Sequence, residues 1–144
     1  MPAACRLSQT LGVARMTHPH LSTEQYLSAV RADIVLAART LEAREGAFLE
    51  GVRKLASLRH AVSREGHDEA FMLFVAIDSE SDHIPGPAMR ALCSATWLEE
   101  CDSEAKRIEA FYGHDVDVAC QQLVELFEDH ASQRRSEEDR RSEP

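Results

Sequence analysis

A chain of 144 residues, 44% of them hydrophobic and only 6 Gly and 5 Pro, can bury one core without disulfides or metals. Its recurrent Ala, Leu, Glu and Arg favour helices. The formal charge of -9 excludes nonspecific binding to nucleic acid, because an acidic surface is repelled by the phosphate backbone, and no window approaches the roughly 20 apolar residues of a membrane-spanning helix.

Residues 1–21 mix Pro, His, Arg, Ser and Thr without a periodic apolar face and are expected to be a disordered arm. Met16 stands just ahead of the first helix signal and is an alternative start. A helical domain is expected over 22–128, and this stretch holds the acidity, with 20 Asp and Glu against 10 Lys and Arg.

Ser22-Thr23-Glu24-Gln25 has the form of a capping box, and Leu27, Val30, Ile34, Ala37 or Ala38, and Leu41 then recur at three and four. The spacing predicts a helix to about Arg44, broken by Gly46. A second stripe of Phe48, Val52, Leu55 and Val62 predicts a helix that stops at the left-handed signal Glu65-Gly66. The short connection makes the two an antiparallel hairpin.

Asp68 is placed to cap a third element through Phe71, Met72, Leu73, Phe74, Val75, Ala76 and Ile77, the most apolar window. A run this short also fits a buried strand, but no partner strand is visible, so a helix is preferred. Ile84-Pro85-Gly86-Pro87 forbids continuation and predicts a crossing loop.

Ser94 or Thr96 can cap the next turn. Ile108, Phe111, Tyr112, Val116, Ala119, Leu123, Val124 and Phe127 then give helical spacing to about Glu128, interrupted by Gly113, so either one long helix or two with a kink are expected. Residues 129–144 carry mixed charge and almost nothing to bury, and are expected to fray into a disordered tail. The fold class is therefore all-α: a bundle of four to five helices with an N-terminal hairpin and a long C-terminal helix.

The candidate polar site is Asp78-Ser79-Glu80-Ser81-Asp82-His83, between the most apolar run and the Pro-Gly-Pro turn. Asp78, Glu80 and Asp82 alternate as in the opening of a calcium loop, but His83 stands where the sharp turn needs Gly and Met89 where a bidentate carboxylate is needed. An EF-hand is excluded. Asp78, Glu80, Asp82 and His83, joined by a distant His114 or Asp115, retain the donor chemistry of a transition-metal or hydrolytic site. The simpler reading is that Asp78, Ser79 and Asp82 end one helix and cap the next turn, with Glu80 solvated.

Cys5, Cys93, Cys101 and Cys120 contain no C-x-x-C pair, no export signal is recognisable before them, and they are expected as reduced thiols in a cytoplasm. Cys120 lies beside an apolar stripe, where Cys is usually a small core residue. The histidines show no H-E-x-x-H spacing, and no phosphate loop, nucleophile elbow or dinucleotide fingerprint appears, so neither a cofactor nor a resident metal is expected.

Glu50-Gly51-Val52-Arg53-Lys54-Leu55-Ala56-Ser57-Leu58-Arg59-His60 together with Phe74-Val75-Ala76-Ile77-Asp78-Ser79-Glu80-Ser81-Asp82-His83-Ile84-Pro85 resembles a family of small bacterial proteins of unknown function sharing an Ile-Asp-Ser-Glu-x-Asp-His-x-Pro segment. The likeness spans about Leu27 to Phe127, with mild departures at Ser81 and Ile84. It implies a bacterial source and a helical fold and brings no activity or assigned residue with it.

With no compact catalytic constellation in view, the expected function is noncatalytic binding of another protein, with self-association through the helical faces as a further expectation. Two alternatives stand beside it: a metal-binding protein or hydrolase centred on residues 78–83, and an acidic immunity-like inhibitor that neutralises a toxin.

Overall fold

The computed structural model describes residues 23–142, and at 64–65 and 129–138 the backbone alone. The expected N-terminal arm, with Met16 and Cys5, and the Ser22 cap lie outside the described residues. The fold is all-α, with no strand among the described residues.

Helix α1 (Thr23–Glu42) buries Val30, Ile34, Ala37, Ala38 and Leu41, the stripe read from the sequence except for Leu27, which is only partly buried. Its stop differs from the expected one. The Glu45 N–H donates to the Thr40 carbonyl and the Arg44 N–H to the Leu41 carbonyl, both at 3.0 Å, while Arg44 takes the left-handed conformation at φ 55. This is a Schellman end with arginine in the position glycine usually fills. Gly46, also left-handed at φ 86, shapes the connection after the helix has ended.

Helix α2 (Phe48–Leu58) buries Phe48, Leu49, Val52, Leu55 and Ala56. The expected single helix to Glu65 instead tightens into a 3-10 segment, Arg59–Glu65, ending on left-handed Gly66 at φ 80. Gly51 lets α2 approach α1 closely: a Cβ there would lie 2.9 Å from Leu41 Cδ1 and 3.3 Å from Leu41 Cβ. This constraint has no signal in the hydrophobic pattern.

A second 3-10 segment, Asp68–Phe71, opens the third element without a side-chain cap, so Asp68 does not play the expected role; it lies 3.8 Å from Arg59 Nε. Helix α3 (Met72–Glu80) follows. Phe71, Phe74 and Ile77 are fully buried, each stabilising the fold by on the order of 2–3 kcal/mol relative to exposure. The Pro-Gly-Pro crossing contains one helical turn, α4 (Pro87–Arg90), with proline at its start, where its missing N–H costs nothing.

Helix α5 (Ala95–Ser142) is one unbroken helix of 48 residues, about 72 Å long at 1.5 Å per residue. Ser94 caps it by accepting the Trp97 N–H at 3.2 Å. Gly113 produces no break. The backbone runs as helix past 128, where the sequence reading ends the domain; between 129 and 142 there is neither Gly nor Pro, while Gln, Arg and Glu are good helix formers.

Helix α5 packs chiefly along α1, and α2 packs against α1 and α3. Arg39 pairs with Glu128, and Arg44 with Asp117. Glu42 accepts from Gln121 at 3.0 Å, so α1 and α5 run antiparallel. At the centre Phe127 meets Phe71 at 6.0 Å and His67 edge-on at 5.8 Å between ring centroids. No helix among the described residues is long and apolar enough to cross a membrane.

Candidate functional site

The segment from Asp78 to His83 closes α3 and begins the crossing to α4, so its backbone has carbonyl groups left over from the helix end. Ser81 sits at its centre, completely buried. Its hydroxyl donates to the Ile77 carbonyl at 2.7 Å, and its backbone N–H donates to the same oxygen at 2.9 Å. A buried hydroxyl without such a partner would cost about 1–3 kcal/mol.

Arg53 reaches across from α2 to finish the closure. Its Nη2 donates to the Ser81 carbonyl at 2.7 Å and to the Ile84 carbonyl at 2.9 Å. Its Nε lies 3.6 Å from Asp78 Oδ1, a longer and more exposed contact. One guanidinium therefore satisfies two backbone acceptors and faces the first candidate carboxylate.

The other candidates point to different neighbours. Glu80 accepts the Tyr112 phenol at 2.7 Å, and this hydrogen bond holds the Tyr112 pKa above its ordinary value. His83 Nε2 donates to Glu104 Oε2 at 2.7 Å. Asp82 is exposed. Asp78 thus faces α2, whereas Glu80 and His83 face separate turns of α5.

This divergence limits the chemistry. A divalent ion needs several donors aimed at one point, and no group of three or more His, Cys, Asp or Glu side chains among the described residues is arranged to hold one. His114 and Asp115 are exposed on α5, and no hydrogen bond or ion pair joins either to the segment among the described residues. What the arrangement does is tie α3 to α2 and to α5.

Arg53, Tyr112 and Glu104 are the partners that sequence reasoning missed. They lie 28, 32 and 21 residues from Ser81, Glu80 and His83, and no local pattern announces contacts over such distances. The sequence reading assigns the helix end to Asp78, Ser79 and Asp82, and nothing in it points to Ser81 or to its complete burial.

Cys101 and Cys120 offer no nucleophile. Burial pushes the Cys101 pKa up and that of Cys120 up to about 12, and a neutral thiol is a poor nucleophile and a poor metal ligand. A surface hollow of ≈ 510 Å³ lies along α5, lined by Trp97, Glu100, Cys101, Glu104, Arg107 and neighbours. All of its lining comes from one helix, so it is an open face, and it shares only Glu104 with the contacts of the candidate segment.

Arg90 makes a two-pronged contact with Asp102, at 2.8 and 3.0 Å, whose hydrogen bonding lowers the Asp102 pKa. It holds α4 beside the start of α5. There Met89, Leu92 and Trp97 are exposed, Leu92 to 79%. Comparison with known proteins yields no relative: no family model, no curated protein and no solved structure matches the chain.

Proposed function

We propose that this chain is a noncatalytic module that binds another protein in the cytoplasm. The observation that carries the reading is the exposure of Met89, Leu92 and Trp97 around the α4–α5 corner. Single exposed apolar residues are ordinary, but a group of them marks an interaction surface, and Trp and Met are enriched where proteins meet. The occupation of Asp78, Glu80 and His83 in contacts between helices supports the same reading. So do the free thiols of Cys93, Cys101 and Cys120, which suit a reducing compartment.

The test is affinity capture from the native host at low and high salt, with metal analysis of the same eluate, followed by reconstitution from purified components. A stoichiometric complex weakened at least about tenfold by Leu92→Ser with Trp97→Ser is the expected result. Stoichiometric bound metal, lost on Asp82→Ala or His83→Ala without unfolding, would replace this reading with a metalloprotein.

A further inference from the structure

The outer face of α5 carries a second apolar feature, away from the α4–α5 corner. Phe111 is 75% exposed and Val118 41%, at the seven-residue spacing that keeps two side chains on one side of a helix. Phe111 is held edge-on against Tyr112, with ring centroids 4.7 Å apart, and Tyr112 is in turn fixed to Glu80. The ring is thus braced from inside the fold while its outer surface stays in water.

Four residues before Phe111 stands Arg107, and four after it Asp115, both exposed. Residues at i−4, i and i+4 share one face. Arg107 and Asp115 make no side-chain hydrogen bond or ion pair among the described residues, whereas Arg39, Arg44, Arg53, Arg59 and Arg90 all pair with carboxylates. The face therefore reads cation, aromatic, anion at equal steps.

That order is complementary to its own reverse. A second copy of α5 laid antiparallel about a twofold axis at Phe111 brings Arg107 opposite Asp115 of the other copy, and Asp115 opposite its Arg107, with the two Phe111 rings at the centre. Exposed Ala110 leaves room for close approach. Parallel pairing would set arginine on arginine, so charge selects the antiparallel arrangement. We infer that Arg107, Phe111 and Asp115 form a self-complementary interface through which two copies of this chain associate antiparallel along α5. The inference rests on the protein-binding reading above and assigns one partner as the chain itself, on a stretch of α5 centred about 21 Å along the helix from Trp97.

Charge reversal tests it on the full chain. Sedimentation velocity from about 1 μM to about 1 mM should show wild type passing from monomer to dimer. Arg107→Asp and Asp115→Arg should each weaken this at least about tenfold, with the helical circular dichroism unchanged. An equimolar mixture of the two variants should pair again, because the chain with two acids then meets the chain with two arginines, and the double variant should dimerise with itself. Monomeric wild type throughout the range overturns the inference, as do single variants that dimerise like wild type or a mixture that fails to pair. Monomeric wild type that still binds a foreign protein through Leu92 and Trp97 would sink this interface and leave the protein-binding reading standing. Dimerisation that follows the charge swaps, with no foreign partner captured, would do the reverse.

Discussion

The guanidinium of Arg53 donates to the backbone carbonyl of Ser81 at 2.7 Å, joining the middle of α2 to the residue that ends α3. Charge-assisted hydrogen bonds to a helix end contribute more than an exposed ion pair does, since the carbonyls they satisfy are shielded from water. Arg53→Met, which keeps much of the stem and removes the guanidinium, should lower stability by about 2–3 kcal/mol. Asp78→Asn, which touches only the 3.6 Å contact, should cost less than about 1 kcal/mol. Urea midpoints of the two variants measure the difference, and equal losses would show that the carboxylate matters more than the backbone closure.

The two helical glycines should respond oppositely to alanine. Each gains about 1 kcal/mol of helix propensity. At Gly51 the new methyl would press on Leu41 at 2.9 Å, between helices that must separate to admit it, and overpacking of about 1–3 kcal/mol outweighs the gain. At Gly113 it meets only Arg44 Nη2 at 3.3 Å, the far end of a side chain. Gly113→Ala should therefore be neutral to stabilising, and more favourable in an Arg44→Ala background. Thermal unfolding of the four proteins measures this coupling.

Arg44 combines an unfavourable backbone with favourable side-chain contacts. Its guanidinium lies 2.9 Å from Asp117 Oδ1, donates to the Leu41 carbonyl at 2.7 Å, and sits 5.1 Å from the centre of the Phe48 ring. Arg44→Ala loses those contacts and keeps the left-handed strain, whereas Arg44→Gly loses them and relieves it. Glycine should be the milder substitution by about 1 kcal/mol, as read from chemical denaturation. Equal effects would mean that the backbone carries little strain.

Cys120 predicts a weakness at high pH. Its folded pKa is raised to about 12 from 9, so the folded chain holds a proton that the unfolded chain releases. This contribution is complete below about pH 9 and is lost as pH rises towards about 12. Stability should fall over that window, and Cys120→Ala should flatten the fall. Under native conditions Cys93, which is only half-buried, should react with a thiol reagent well before Cys101 and Cys120; uniform reactivity would contradict the burial.

Much of the fold was legible because it depends on periodicity. The α1 stripe, a cap at Ser94 or Thr96 and the left-handed stop at Gly66 follow from spacing and turn chemistry, with Ser94 the residue that caps, and the choice of helix for Phe71 to Ile77 agrees with the structure. The use of Arg44 as a helix stop was not legible, since its strain is offset by Asp117 on a distant helix. Asp78 to His83 looked site-like because local sequence shows residue types and withholds their neighbours. Glu80 and His83 face Tyr112 and Glu104 at positions that only the packing of α5 determines.

The buried seam at Ser81 bears on how genetic data for this protein should be interpreted. A saturation scan scored by survival or abundance would find intolerant polar positions at Ser81 and Arg53, a pattern usually taken for an active site. Here the intolerance would arise from two helices and the crossing after them meeting at one carbonyl-rich corner. Lower expression temperature should restore much of the lost protein in such variants, whereas it could not restore a missing catalytic group.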